Sequence, residues 1–231
     1  MNDNCIAKHC CKSVGQSICS HSCSFFIDLR YQIELASLPK KHQKCICSDL
    51  PDTFFGKDVF SRFTDGLVER IDKGTTGLFL YSRLTGTGKS TVACSIALEY
   101  IVKKLQLDYR TGRRTEQLVK FINVTDFLED LRKGMNDKEA AEVALSVTHT
   151  LKQVPLLIMD DLGAEKTSEW VRERLLNIVS DRYDSERTII FTSNHSPQEI
   201  EMVLGARVRS RLEGMSVPIE FKTNRDFRRK V

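Results

Sequence analysis

The distribution of apolar residues changes character along the chain. From residue 77 onward, short apolar runs alternate with longer stretches in which apolar positions recur every three or four residues. The short runs, "GLFLYS", "VKFINV", "PLLIMDD", "TIIFTSN" and a weaker "VPIEF", have the length and continuity of buried strands. The stretches between them, over 89–104, 126–133, 138–151 and 168–184, predict helices. In the last of these, Val171, Leu175, Ile178, Val179 and Arg182 share one face, which marks its core stripe. Ser196, Pro197 and Glu199 carry the signature of a capping box that opens one more helix. Strands alternating with helices predict an α/β fold with a parallel five-stranded sheet and helices on both faces.

Upstream of residue 77 the pattern is different. Phe55, Val59, Phe63, Leu67 and Ile71 recur every four residues and predict one helix. Before them, residues 1–45 are rich in Cys, Ser, His and Lys, and "FFIDLRYQIELASL" is their single convincing helix. A segment of this size buries too little surface to fold alone without a staple. "LPKKHQK" reads as a connector, so the chain divides into a small module over 1–45 and a main domain over 46–231.

Composition sets limits on this picture. The chain has 231 residues, 41% hydrophobic and 29% charged, enough for one ordinary soluble domain with an accessory module. No apolar run approaches the roughly 18 residues of a membrane helix. The amino terminus lacks the apolar centre of a signal peptide, so a cytoplasmic protein is expected. A net charge of +4 is only mildly basic. Basic residues cluster in "YRTGRRTEQ" and "NRDFRRK", which fits a nucleic-acid contact and a solvated surface equally.

The clearest candidate chemistry follows the first strand. "SRLTGTGKST" is a turn of small residues leading into a helix, which gathers backbone N–H groups and the positive end of the helix dipole around one point. Thr85, Gly86, Thr87, Gly88, Lys89, Ser90 and Thr91 form the nucleotide-binding stretch. Gly86 and Gly88 permit close approach, Lys89 reaches the outer phosphates, and the Ser90 hydroxyl binds magnesium. The pattern departs from the usual phosphate loop at Arg83, where a glycine is expected. That glycine serves the strand exit, and the later residues that meet phosphate are intact.

Two further strands end in polar residues. "PLLIMDD" brings Asp160 and Asp161 to the edge where ligands of parallel sheets bind. Adjacent side chains on a strand point opposite ways, so Asp160 is assigned to magnesium and Asp161 to the attacking water. "TIIFTSN" brings Asn194 to the same edge, where an amide bonds both the water and the γ-phosphate. "ARVRSRLEGM" carries Arg207, Arg209 and Arg211; one such guanidinium inserted from a neighbouring subunit stabilises transition-state charge, and a charged surface helix is the plainer alternative.

Seven of the eight cysteines lie within the first 47 residues. In a reducing cytosol such a cluster favours metal over disulfides. Cys5, Cys10, Cys19 and Cys23 form two closely spaced pairs suited to tetrahedral zinc. His9, Cys11 and His21 compete as ligands, and free thiols in a tail are the alternative. Cys45 and Cys47 are too close for an ordinary pair, and Cys94 reads as core.

"LTGTGKST", "LLIMDDLGAEKTSEWVRERL", "TIIFTSN" and "ARVRSRLEGM", in this order and spacing, resemble the AAA+ ATPases of the DnaC/DnaI type that load the bacterial replicative helicase, phage and prophage versions included. The resemblance runs from about residue 50 to the carboxyl end, and "DDLGAEKTSEW" is its most specific part. It implies that Lys89 and Ser90 belong to the Walker A site, Asp160 and Asp161 to Walker B, and Asn194 to the first sensor. Arg211 matches the arginine finger, with Arg207 preceding it, and Arg228 falls near a second sensor. Only ten residues follow "VPIEF", so the helical lid of many relatives is expected to be minimal or absent. The family's zinc-binding module, which docks on the helicase, is matched loosely by residues 1–45.

The function implied is an ATP-hydrolysing loader that places a hexameric helicase on single-stranded DNA and associates with its own copies through ATP sites. Lys120, Phe127, Arg132 and Lys133 are its candidate DNA contacts, although helix packing is the plainer reading of Phe127. An IstB-type transposition helper, or a nucleotide-binding adaptor with little hydrolysis, is the alternative.

Overall fold

The computed structural model describes residues 23–43, 46–47, 50, 63–74, 76–113 and 116–222. Five strands, β1 (Gly77–Tyr81), β2 (Val119–Asn123), β3 (Leu156–Asp160), β4 (Thr188–Ser193) and β5 (Ser216–Glu220), make one sheet in the order β2-β3-β4-β1-β5. Every pairing is parallel. The helices are α1 (Ser24–Leu35), α2 (Leu67–Asp72), α3 (Lys89–Thr111), α4 (Val124–Lys133), α5 (Lys138–Gln153), α6 (Glu169–Asp184), α7 (Pro197–Leu204) and α8 (Ala206–Met215). A 3-10 turn covers Lys40–His42.

Alternation along the strands divides the core in two. Leu78, Leu80, Leu156, Ile158 and Ile190 face one layer with α1, α2 and α3. Phe79, Leu157, Met159, Ile189 and Phe191 face the other, with α4, α5, α6, α7 and α8. Helices on both faces are therefore as the sequence predicts. Because β1 lies between β4 and β5, the chain after β1 crosses to the far edge and returns strand by strand. The crevice between β1 and β4 is the reversal point at which open parallel sheets bind ligands.

Most predicted elements form, and the differences have local causes. The periodic run from Phe63 to Ile71 is interrupted, because Gly66 adopts a left-handed conformation (φ 64°) and caps a separate α2. The two earlier members of that run, Phe55 and Val59, lie outside the described residues. Helix α3 continues past residue 104 to Thr111, since Leu105 stays in the core and the Tyr109 hydroxyl donates to Asp28 on α1 (2.7 Å). It stops at Gly112, where the backbone turns left-handed. On α6 the buried residues are Val171, Leu175, Ile178, Val179 and Arg182, the predicted stripe. At α7 the predicted box closes: Ser196 N–H donates to Glu199 Oε2 (2.7 Å) and Glu199 N–H to Ser196 Oγ (3.3 Å).

Arg182 is fully buried, and its guanidinium donates to the carbonyls of Leu151 (2.7 Å), Val154 (2.8 Å), Pro155 (3.1 Å) and Thr188 (2.7 Å). It thereby ties the end of α5 to the starts of β3 and β4. Helix α1, read from sequence as part of the amino-terminal module, packs into the main core through Leu29 and Ile33. Its Gln32 accepts from Leu118 N–H (3.1 Å) and donates to Glu116 O (3.0 Å), and Phe121 N–H of edge strand β2 donates to Ala36 O (2.8 Å).

Candidate functional site at the carboxyl edge of the sheet

Strand β1 delivers the loop 82–88 to the β1/β4 crevice, and α3 begins at Lys89. Gly86 and Gly88 have φ of 73° and 94°, values that ordinary side chains disfavour, so the loop depends on both. Arg83 is different. Among the described non-glycine residues, only Ser37, Asp161 and Glu186 have positive φ, so the arginine occupies its position with an ordinary backbone. Its exposed guanidinium reaches Glu199 of the α7 capping box (2.9 Å). The bridge adds to the cap bonds that already hold the Glu199 carboxyl below its usual range.

Lys89 is the hub of the site. It is only 6% exposed, and its amine donates to Asn194 Oδ1 (3.0 Å), Leu84 O (3.2 Å), Thr87 Oγ1 (3.4 Å) and Ser82 O (3.5 Å). A buried ammonium satisfied by neutral oxygens is suited to exchange them for phosphate oxygens, which bind it more strongly. Ser90, half-buried in the first turn of α3, follows directly. The Thr91 hydroxyl is 3.3 Å from His42 Nδ1, so the 3-10 turn borders the loop.

Across the crevice Asp160 ends β3 with 7% exposure, and its Oδ1 accepts from Thr192 Oγ1 (2.7 Å). Asp161 follows with φ 59°, and its N–H donates to the same hydroxyl (3.0 Å). Beyond them the turn is fastened to β4: Leu162 N–H donates to Thr192 O (2.8 Å) and Ser193 Oγ to Leu162 O (2.6 Å). His195 Nε2 lies 3.2 Å from Gly163 O. Glu165 is buried against this turn. One carboxyl oxygen accepts from Gly163 N–H (3.1 Å), and the other, Oε1, has no hydrogen-bond partner. Burial pushes its pKa up, opposed by the backbone donors and by the neighbouring His195.

The described sequence candidates thus separate into those the fold gathers and those it does not. Lys89 and Asn194 are bonded to each other at the crevice, and Asp160 and Asp161 stand at the same edge of the sheet, tied to β4 through Thr192. Arg211, on α8, stacks its guanidinium 5.5 Å from the Tyr183 ring centroid on α6, and its Nε is buried without a partner. Arg209 is held between Glu201 and Glu213. Arg207 is exposed. Of the candidate DNA contacts, Phe127 is core, and Lys120 donates to Ser37 Oγ (2.7 Å) beside α1. Lys133 pairs with Asp130 on the surface. Arg132 lies 5.4 Å from the centroid of the Trp170 ring, with Arg174 5.9 Å from the same ring. Sequence reasoning missed Trp170, Thr192 and Glu165, although each sits within or beside a motif it had singled out.

Of the zinc candidates, Cys5, Cys10 and Cys19 lie outside the described residues, as do Arg228 and Cys45; Cys23 is a free thiol at the residue preceding α1 and makes no side-chain capping bond. Cys94 is buried as expected. No group of three or more His, Cys, Asp and Glu side chains forms a metal cluster among the described residues, and no helix there is long and apolar enough to cross a membrane. The donors at the crevice fit a magnesium nucleotide: an ammonium already dressed with oxygens, a hydroxyl at a helix start, and a buried carboxylate oriented by a threonine.

Comparison with known proteins agrees with this chemistry. Replicative helicase loader DnaI of Bacillus subtilis (strain 168) is 27% identical over 175 residues, covering 70% of this chain and 51% of that protein. Replicative helicase loader DnaC of Escherichia coli (strain K12) is 27% identical over 145 residues, 63% of this chain and 53% of the relative. The chain therefore spans about half the length of the curated relatives it matches. The crystal structure of DnaI superimposes with a TM-score of 0.64 at 22% identity, covering 84% of this chain and 99% of the other. The bacterial DnaA ATPase domain matches residues 65–218, from the start of α2 into β5. The chain belongs to the bacterial DnaA ATPase domain family, with replicative helicase loaders of the DnaC/DnaI type among its relatives.

Proposed function

We propose that this protein hydrolyses ATP to load a hexameric replicative helicase onto single-stranded DNA. The convergence of Lys89, Asp160, Asp161 and Asn194 on one crevice, in a chain similar to helicase loaders, carries this reading. On ATP binding the Lys89 amine leaves Leu84 O and Asn194 Oδ1 for the outer phosphates. Ser90 and Asp160 hold magnesium, which neutralises charge on the phosphates. Asn194, released from Lys89, bonds the γ-phosphate and the water, while Asp161 orients and polarises that water.

Arg211 stabilises transition-state charge from an adjacent subunit. The support is its place on α8 against Tyr183, a residue at the end of α6 that precedes β4 and so lies away from the carboxyl edge of its own sheet. Single-stranded DNA runs past Arg132, Lys133 and Trp170, where two guanidiniums over an indole offer charge and a stacking face. Cys5, Cys10, Cys19 and Cys23 bind structural zinc in an amino-terminal arm that docks on the helicase. Metal analysis under reducing conditions should give about one zinc per chain, lost when Cys19 and Cys23 are both changed to Ser. A metal-free protein would remove that module from the proposal.

Co-purification tests the function as a whole. In the presence of a non-hydrolysable ATP analogue the full chain should capture the host's replicative helicase, and the pair should show hydrolysis stimulated by single-stranded DNA. Capture of a transposase instead would establish the IstB-type reading. Nucleotide binding without turnover, even with helicase and DNA present, would make the protein an adaptor.

A further inference from the structure

The two carboxylates at the end of β3 are assigned separate tasks, yet they are neighbours in sequence. Something must hold Asp160 inward and turn Asp161 outward. Thr192 on β4 is positioned to do both. It is fully buried, and the β3–β4 register, which pairs Met159 with Phe191, sets it opposite Asp160. Its Oγ1 donates to Asp160 Oδ1 (2.7 Å) and accepts the Asp161 N–H (3.0 Å). A carboxylate only accepts and an amide N–H only donates, so the single hydroxyl proton has one possible place.

The backbone reports the same constraint. Asp161 has φ 59°, a conformation uncommon for a residue other than glycine. The accepting hydroxyl holds its N–H at this turn, and the main-chain bond from Leu162 N–H to Thr192 O (2.8 Å) fastens the next residue to the same threonine. Asp161 is consequently half-buried beside the crevice, whereas Asp160 is buried. Thr192 also lies two residues before Asn194, so the carboxylate turn is tied to the end of β4 from which the amide proposed to meet the γ-phosphate directly follows.

We propose that Thr192 is a positioning residue for phosphoryl transfer, whose hydroxyl directs Asp160 to the magnesium position and fixes the turn that presents Asp161 to the water. This rests on the ATPase reading above. Threonine is suited to the place because branching at Cβ restricts χ1 and so holds the hydroxyl in one direction.

Thr192→Val keeps the shape and removes the hydroxyl, and Thr192→Ser keeps the hydroxyl. Steady-state hydrolysis and the affinity for a fluorescent ATP analogue, with and without magnesium, separate the possibilities. In Thr192→Val, kcat should fall about 10- to 100-fold, as when a metal ligand loses its orienting partner. Affinity without magnesium should be unchanged, while the gain in affinity on adding magnesium shrinks. Thr192→Ser should recover most of both. Wild-type kcat and magnesium dependence in Thr192→Val would overturn the proposal. So would a loss of magnesium-free binding shared by Thr192→Val and Thr192→Ser, which is the behaviour of a purely structural residue. If the wild type itself hydrolyses nothing, the ATPase reading fails instead, and the magnesium-dependent affinity of Thr192→Val still decides the role of Thr192.

Discussion

Asp161 and Glu165 sit four residues apart on the same turn and face opposite demands. Asp161 is the group proposed to act on water, so Asp161→Asn should retain nucleotide affinity while kcat falls about 100-fold or more, measured as a split between kcat and binding. Glu165 is buried, with one carboxyl oxygen on the Gly163 N–H. Burial raises its pKa above the ordinary carboxyl value of 4.5, and such a group favours the folded state only while protonated. Its contribution is complete below that value and is lost as pH rises through the higher folded one. Glu165→Gln should therefore melt above the wild type at alkaline pH, with the difference shrinking toward pH 4.5; a constant difference across that range would contradict the assignment. The placement of Lys89 at a helix start and of Asp160, Asp161 and Asn194 at the ends of β3 and β4 was legible, because the apolar runs and the glycine loop mark those boundaries. Thr192 was not, since its bonds to Asp160 and Asp161 arise from the pairing of β3 with β4, about thirty residues apart, and Glu165 was not, since only the folded turn buries it. Arg83 was legible as an anomaly, but its partner Glu199, 116 residues away, was not.

At the scale of elements, the strands and most helices were predicted within a few residues because the apolar pattern that encodes them is the pattern the core uses. Boundaries differed where a tertiary contact prolonged an element, as Asp28 and Phe25 of α1 do for the end of α3 through Tyr109. The docking of α1 on β2 was hidden for the same reason: besides the apolar contacts of Leu29 and Ile33 it depends on Gln32 and on main-chain bonds. Arg182 is the instructive case. Its position on the α6 stripe is legible, but its task of gathering three chain segments is visible only when four carbonyls surround it. Burial lowers its pKa to about 9, still leaving it charged at neutral pH, where ionic donors bond those carbonyls well. Arg182→Met keeps the apolar stem and strands the carbonyls, three of whose bonds are buried, so unfolding in urea should show a loss of about 3–5 kcal/mol. Near-wild-type stability would mean that water or backbone shifts replace the guanidinium.

At the scale of the whole molecule, the proposed assembly would have each crevice supply the loop, the carboxylates and Asn194 and the next copy supply the guanidinium for the transition state. That division makes a prediction which neither a self-sufficient site nor a purely structural Arg211 shares. Asp161→Asn leaves a subunit with an inactive crevice and an intact arginine; Arg211→Ala leaves the converse. Each variant alone should be inactive. Mixed in equal amounts under assembling conditions, random neighbours place an intact crevice beside an intact arginine at about one interface in four, so about a quarter of wild-type hydrolysis should return. Activity should fall again as either variant is taken into excess, because the product of the two fractions is greatest at equality. A mixture that co-assembles, shown by crosslinking of differently tagged chains, yet stays inactive at every ratio would show that Arg211 does not act across the interface. Its stacking on Tyr183 would then be its whole role.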